Sequence, residues 1–144
     1  MNKRQVHMWY EQYKVGLFRF ALSMLKDPAS AEDVLQEVFL RLLSGRYSPA
    51  PEKIQAYLYR AVRNLCHDEL RRRKQLQAEE REQTGSDVYA YIELISPLPQ
   101  KEREIVTLKI VGGLTHREIG KVMGITEQAA KKRYQRAIEK MREE

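Results

Sequence analysis

The chain has 144 residues, room for one ordinary domain or two small ones, and its 26 Lys+Arg against 20 Asp+Glu leave a formal net charge of +6. That excess favours a polyanionic partner, and nucleic acid fits better than membrane, since no apolar run approaches the roughly 20 residues that cross a bilayer and residues 1–11 hold no signal-peptide core. One cysteine, Cys66, excludes an internal disulfide framework and fits a reducing cytoplasm; with only His7, His67 and His116 beside it, no metal-ligand spacing is recognisable and no cofactor is expected.

Apolar residues recur at helical spacing, Val and Ile do not alternate, and no Asn-Gly or Asp-Gly hairpin turn occurs. The expected fold class is all-α: two small helical domains, a three-helix unit over residues 1–76 and a helix-turn-helix unit over 88–144, joined by a short acidic linker over 77–87. A first helix over about 4–26 ends near Lys26-Asp27-Pro28, where Asp27 can cap the second helix and Pro28 can sit in its first turn. That second helix runs to about Leu43 and stops at Ser44-Gly45. Its core face is Ala31, Val34, Leu35, Val38, Phe39 and Leu42; its outer face gathers Asp33, Gln36, Glu37 and Leu40. Carboxylates, an amide and one exposed leucine do not attract DNA and suit a docking protein, although single exposed leucines are normal on any surface.

Pro49 and Pro51 exclude helix from the loop that follows, and a third helix spans about Glu52 to Gln75. Ile54, Tyr57, Leu58, Ala61, Val62 and Leu65 form its apolar stripe. The opposite face holds Tyr59, Arg60, Arg63, His67, Arg71 and Lys74, with Arg72 and Arg73 close by. Rings interleaved with cations suit unpaired bases, which stack while their phosphates meet charge. The bland alternative is a basic helix whose Asp68 and Glu69 pair locally with Arg71–Arg73, with Cys66 and His67 structural or solvated. Residues 77–87 then set Glu79, Glu80, Glu82 and Asp87 against a single Arg81, with no large apolar side chain to bury, which marks a linker. A short helix near Val88–Ile95, Pro97 and Pro99 precede three more helices.

Thr115-His116-Arg117-Glu118 is a capping box, in which hydroxyl and carboxylate satisfy amides that a helix start leaves unpaired. Its helix buries Ile119, Val122 and Met123; Gly124 follows where a left-handed residue ends a helix, Thr126 caps the next, and Gly120 is small where the two would cross. This is a helix-turn-helix. On the last helix Ala130, Tyr134, Ala137, Ile138 and Met141 fall inward. Gln128, Lys132, Gln135 and Arg136 fall outward, flanked by Lys131, Arg133 and Lys140. Amides and cations so placed can read base edges and hold phosphates in a major groove; a solvated basic face is the bland alternative. His116 is expected to be an exposed first-turn residue.

The run Tyr13 to Leu43, with Ala31-Glu32-Asp33-Val34-Leu35-Gln36-Glu37-Val38-Phe39-Leu40 inside it, resembles region two of extracytoplasmic-function sigma factors of the sigma-70 family. So does Tyr57-Leu58-Tyr59-Arg60-Ala61-Val62-Arg63-Asn64-Leu65, followed by Asp68 and Arg71-Arg72-Arg73. Leu98-Pro99-Gln100-Lys101-Glu102-Arg103-Glu104, Gly113-Leu114-Thr115 and Glu118-Ile119-Gly120 through Arg136-Ala137 resemble region four. The likeness covers nearly the whole chain in the expected order. It implies a DNA-binding transcription initiation factor whose partners are core RNA polymerase and promoter DNA, and it leaves open an anti-sigma factor. By that resemblance Asp33, Gln36, Glu37 and Leu40 would dock on polymerase, and Tyr59, Arg60, Arg63, Asn64, His67, Arg71, Arg72, Arg73 and Lys74 would serve the minus-ten element. The loop Ser44–Pro51 would lie where a flipped base is captured. Thr126, Gln128, Ala129, Lys131, Lys132, Arg133, Gln135 and Arg136 would serve the minus-thirty-five element. Catalysis would belong to the polymerase.

Ala129-Ala130 stands where the family usually shows Thr-Val, Lys132 where Ser is common and Gly120 where Ala is usual, which bears on the promoter sequence more than on the fold. The chain ends close behind the recognition helix, so no sensory domain is expected. Stretched, roughly 11–15 linker residues reach about 35–50 Å. Competing readings are a helix-turn-helix regulator of the two-component output type, which has no use for residues 1–75, and a sigma-like adaptor that binds polymerase without opening promoters. No nucleophile–base pair or phosphate-cradling glycine loop supports an enzyme.

Overall fold

Two residues separate the first two helices. Lys26 takes a left-handed φ of 59°, and Asp27 leaves helical space so that its carboxylate accepts from the amides of Ala29 and Ser30 at 3.3 and 3.2 Å and from the Ser30 hydroxyl. Pro28, with no amide to satisfy, opens the next helix. The Ser30 hydroxyl is the main cause holding the Asp27 carboxyl below its ordinary range, with Ser30 and Ala29 amides and the Arg73 charge adding to it against partial burial. The computed structural model describes residues 3–45, 48–76, 95 and 98–142. Its helices are α1 (Lys3–Leu25), α2 (Pro28–Leu43), α3 (Ile54–Leu76), α4 (Gln100–Ile110), α5 (His116–Met123) and α6 (Glu127–Arg142), and no strand occurs among the described residues. The fold is all-α, as the periodicity requires.

α3 starts two residues later than the sequence suggests, because Pro51–Lys53 tightens into a 3-10 turn ahead of it. The acidic linker and the helix expected near Val88–Ile95 lie outside the described residues, apart from Ile95, which is buried.

α1 packs against α2, α3 and α4. Surrounded in this way, its last turns lose the polar face an amphipathic helix normally keeps: Phe20 through Leu25 are all buried. α2 buries Ala31, Val34, Leu35, Val38, Phe39 and Leu42, the face its spacing predicts, with the edge of Tyr10 set against the Phe39 ring at 5.1 Å. α3 differs from expectation. Its core residues are Ile54, Leu58, Tyr59, Val62 and Cys66, while Tyr57, Ala61 and Leu65 are only half-buried. The physical reason is a second neighbour. α3 meets α1 and α2 on one side and α5 on another, so the apolar stripe is wider and turned from the one expected of a helix with a single buried face. One continuous apolar core therefore runs from Trp9 and Leu17 through Leu58 and Val62 to Ile105, Leu108, Leu114 and Ile119. Cys66 lies inside it, fully buried, and burial pushes its thiol up to about 12, far from the thiolate form that reacts.

Candidate nucleic-acid interface

The rear helices are set by short-range chemistry. The Thr115 hydroxyl accepts from the Glu118 amide at 3.1 Å and the Glu118 carboxylate from the Thr115 amide at 2.9 Å, closing the capping box. α5 ends on Gly124 at φ 72°, a conformation that costs a residue with a Cβ. The Thr126 hydroxyl then accepts from the Ala129 amide at 3.1 Å and opens α6. At Gly120 a Cβ would stand 2.6 Å from the Ile125 carbonyl oxygen, so the turn closes this tightly only over glycine. α6 buries Ala130 and Ala137 and half-buries Tyr134, Ile138 and Met141. On its outer side Gln128, Lys131, Lys132, Gln135 and Arg136 are exposed, as is Thr126 ahead of the helix; Ala129 and Arg133 are half-buried. Lys140 is tied to Glu102 of α4 at 2.8 Å. His116 is not the exposed residue expected: it is half-buried, its ring lies 5.7 Å from that of Tyr134, and its Nδ1 is buried without a hydrogen-bond partner. Burial, helped by the Lys109 and Lys131 charges, lowers its pKa.

At the other end of the molecule, Asp33, Gln36, Glu37 and Leu40 stand together on the outer face of α2, all exposed, with Leu40 at 60%. Glu37 pairs with Arg41 at 3.1 Å across one turn; exposed pairs of this kind contribute little stability. The loop at 44–51, in which residues 46 and 47 lie outside the described residues, buries Pro49.

The basic face of α3 is divided, and four of its residues depart from expectation. Tyr59, expected among exposed cations, is 2% exposed. Its ring lies edge-on to Phe20 at 5.8 Å and fills a slot between two glycines: a Cβ on Gly16 would come 2.3 Å from its hydroxyl, and one on Gly112 would come 3.1 Å from its Cζ. Burial raises its hydroxyl pKa to about 12. Tyr59, Val62 and Cys66 recur at i, i+3, i+7, so the ring extends the core stripe that wheel arithmetic placed it against. Arg63 and His67 are also not free: the Glu104 carboxylate of α4 accepts from Arg63 Nε and meets His67 Nε2, each at 2.8 Å. Arg73 turns inward, donating to the Leu25 carbonyl at 2.7 Å and the Ser30 hydroxyl at 2.9 Å and pairing with Glu69 at 3.2 Å, so it clips α3 to the α1–α2 corner. Arg60, Asn64 and Lys74 are exposed. Arg71 pairs with Asp68, and Arg72 with Glu69 at 2.7 Å, as the bland reading of that stretch allows; Arg72 is the main cause lowering the Glu69 pKa.

Sequence reasoning missed Glu104, Gly16, Gly112 and Gln55, whose side-chain amide donates to the Gly112 carbonyl at 3.1 Å. Glu104 carried a usable signal. It shares a helix face with Leu108 four residues on, and a carboxylate on a core face demands a cationic partner.

Residues 9–75 match Sigma-70 region 2, and residues 89–141 match Sigma-70, region 4. The ECF RNA polymerase sigma factor SigM of Bacillus subtilis (strain 168) is 30% identical over 132 residues, covering 82% of this chain and 81% of its own. The chain is an extracytoplasmic-function sigma factor of the sigma-70 family. It is a promoter-recognising initiation factor of RNA polymerase, and the family's members are not enzymes. In fold this sigma factor resembles CnrH, solved in complex with the cytosolic domain of CnrY, with a TM-score of 0.77, 22% identity and coverage of 97% of this chain and 86% of that one. It also resembles the sigma factor RpoE from Bartonella quintana, solved with the anti-sigma factor NepR, with a TM-score of 0.73, 21% identity and coverage of 94% of each chain. A stand-alone helix-turn-helix regulator is not favoured, because both regions are present in family order. No helix among the described residues is long and apolar enough to cross a membrane.

Proposed function

We propose that this sigma factor divides its work among three faces: α2 docks on core polymerase through Asp33, Gln36, Glu37 and Leu40, α3 engages the minus-ten element, and α6 reads the minus-thirty-five element. On α3 the exposed Arg60, Asn64, Arg71, Arg72 and Lys74 act beside the half-buried Arg63 and His67; Tyr59, which is buried, and Arg73 hold the helix in place. On α6, Gln128, Lys132, Gln135 and Arg136 face bases, while Thr126, Lys131 and Arg133 hold phosphates beside Ala129. The bonds that change in transcription change in the polymerase; this chain supplies binding energy in the cytoplasm, and an anti-sigma factor is a natural restraint. Residues 1–76 and 88–144 are the two working units.

The observation that carries the reading is the exposure of the amide-and-cation side of α6 while its alanines are buried behind a capped helix-turn-helix. Lys132→Ala and Arg136→Ala should each weaken promoter binding by roughly 1–3 kcal/mol where they read a base, in fluorescence anisotropy with holoenzyme. An equal loss on scrambled DNA would reassign them to phosphates. Leu40→Asp should abolish capture by core polymerase at unchanged helical content by circular dichroism; retained capture would remove α2 from the docking surface.

A further inference from the structure

α3, α4 and α6 enclose a cleft of about 400 Å³, a size that accepts a small-molecule ligand. Arg63 and His67 line it from α3, Lys101 from the first turn of α4, and Arg133 and Arg136 from α6. We infer that this cleft binds a small ligand carrying two or more linked phosphates, with Lys101, Arg133 and Arg136 meeting its charge beside Arg63.

Charge around the cleft is out of balance. Its two carboxylates already have partners. Glu104, 1% exposed, accepts from Arg63 Nε at 2.8 Å and from the Gln100 side-chain amide at 3.3 Å, and it meets His67 Nε2 at 2.8 Å. Glu102 holds Lys140 at 2.8 Å. Among the described residues, Lys101, Arg133 and Arg136 pair with no carboxylate. Arg133 is half-buried, so part of its hydration is lost with no anion in return. Like charges gathered in one recess repel one another, and walls of low dielectric strengthen their pull on an entering anion.

The donors select the ligand class. A guanidinium grips two oxygens of a phosphate with its planar fork, and an ammonium meets one as a point charge. A lone phosphate group carries about two negative charges at neutral pH, fewer than the three cations left over, whereas linked phosphates match them. Duplex DNA fits less well. Its phosphates lie along a broad rod, while the Arg63 side chain is only 16% exposed and Arg133 stands half-buried; a short phosphate chain has free ends and can enter. By the minus-thirty-five assignment of Arg133 and Arg136, on which this consequence rests, an occupied cleft neutralises two cations that α6 would bring to DNA.

Titration calorimetry of the full chain with inorganic tripolyphosphate tests the site. One molecule should bind per chain, more tightly than orthophosphate does. Lys101→Ala, at an exposed position, should weaken binding by about tenfold, the effect of one charge-assisted contact, and Arg133→Ala should do the same. Lys53→Ala, exposed and outside the cleft, should change nothing. Several molecules bound per chain, or equal losses in Lys53→Ala and Lys101→Ala, would show diffuse attraction to a basic protein and overturn the site. Adenosine triphosphate separates the sources: tighter binding than tripolyphosphate assigns the cleft to nucleoside polyphosphates, and equal or weaker binding assigns it to the inorganic chain. Tripolyphosphate should also displace a minus-thirty-five duplex from the wild-type chain, and less readily from Lys101→Ala, whose duplex affinity is unchanged. Duplex affinity falling together with tripolyphosphate affinity in Lys101→Ala would make the cleft a DNA surface and overturn the inference. If α6 does not bind the duplex at all, the competition alone fails, and the titration still decides the site.

Discussion

Tyr59 shows how much one side chain can require of its surroundings. Its hydroxyl lies where a Cβ on Gly16 would be, and Phe20 and Gly112 bound its ring. Ala in place of Gly in a helix interior normally stabilises by about 0.5–1 kcal/mol, so Gly16→Ala alone sets that gain against a clash of roughly 1–3 kcal/mol. Thermal unfolding should show Gly16→Ala destabilising in the natural chain and neutral to stabilising in a Tyr59→Phe background, where the nearest ring carbon is at an ordinary 3.6 Å. The same sign in both backgrounds would show that the hydroxyl is not what excludes the methyl. None of this was legible beforehand, because a helical wheel sorts residues about one axis and carries no knowledge of Gly16 or Gly112, each more than forty positions away. Arg63 and His67 were hidden for the same reason: their partner Glu104 is distant in sequence, and only its place on a core face hinted at it.

At the level of the single helix, much more could be read. The core face of α2, the cap at Asp27, the capping box at Thr115, the left-handed Gly124 and the cap at Thr126 all follow from contacts within about four residues, and sequence spacing encodes those directly. The outward side of α6 followed too, since its small inward alanines leave no ambiguity about which side packs. α3 was legible on one side only. A helix held by local chemistry should respond to local change: Thr115→Ala removes one of the two reciprocal bonds and should cost about 0.5–2 kcal/mol. Chemical denaturation would measure it, and Thr115→Ser should recover most of the loss. A full-size loss in Thr115→Ser would mean the methyl, not the hydroxyl, matters.

Across the whole molecule, the shared core makes alkaline stability a property of both halves. Tyr59 ionises at an ordinary 10.0 when unfolded and about 12 when folded, and Cys66 at 9.0 and about 12. Each folded value is raised, so the unfolded chain sheds its proton first. The stabilisation is complete below the unfolded pKa and falls as pH climbs towards the folded one, by at most about 1.4 kcal/mol per pH unit for each group. Unfolding midpoints should therefore drop between pH 9 and 12, starting with Cys66. A Tyr59→Phe, Cys66→Ser double variant should lose much of that slope; an unchanged slope would place the sensitive groups elsewhere.

The glycine slot bears on how parts of such proteins can be exchanged. Cutting within residues 77–87 and grafting on another family member's groove reader looks harmless by sequence, because that stretch offers little to bury. The graft would need a glycine where Gly112 stands, with its carbonyl turned towards Gln55, and an acid matching Glu104. Without them, a chimera would carry an aromatic ring with no seat and an Arg63 guanidinium with no counterion, and its halves would behave as strangers on a string.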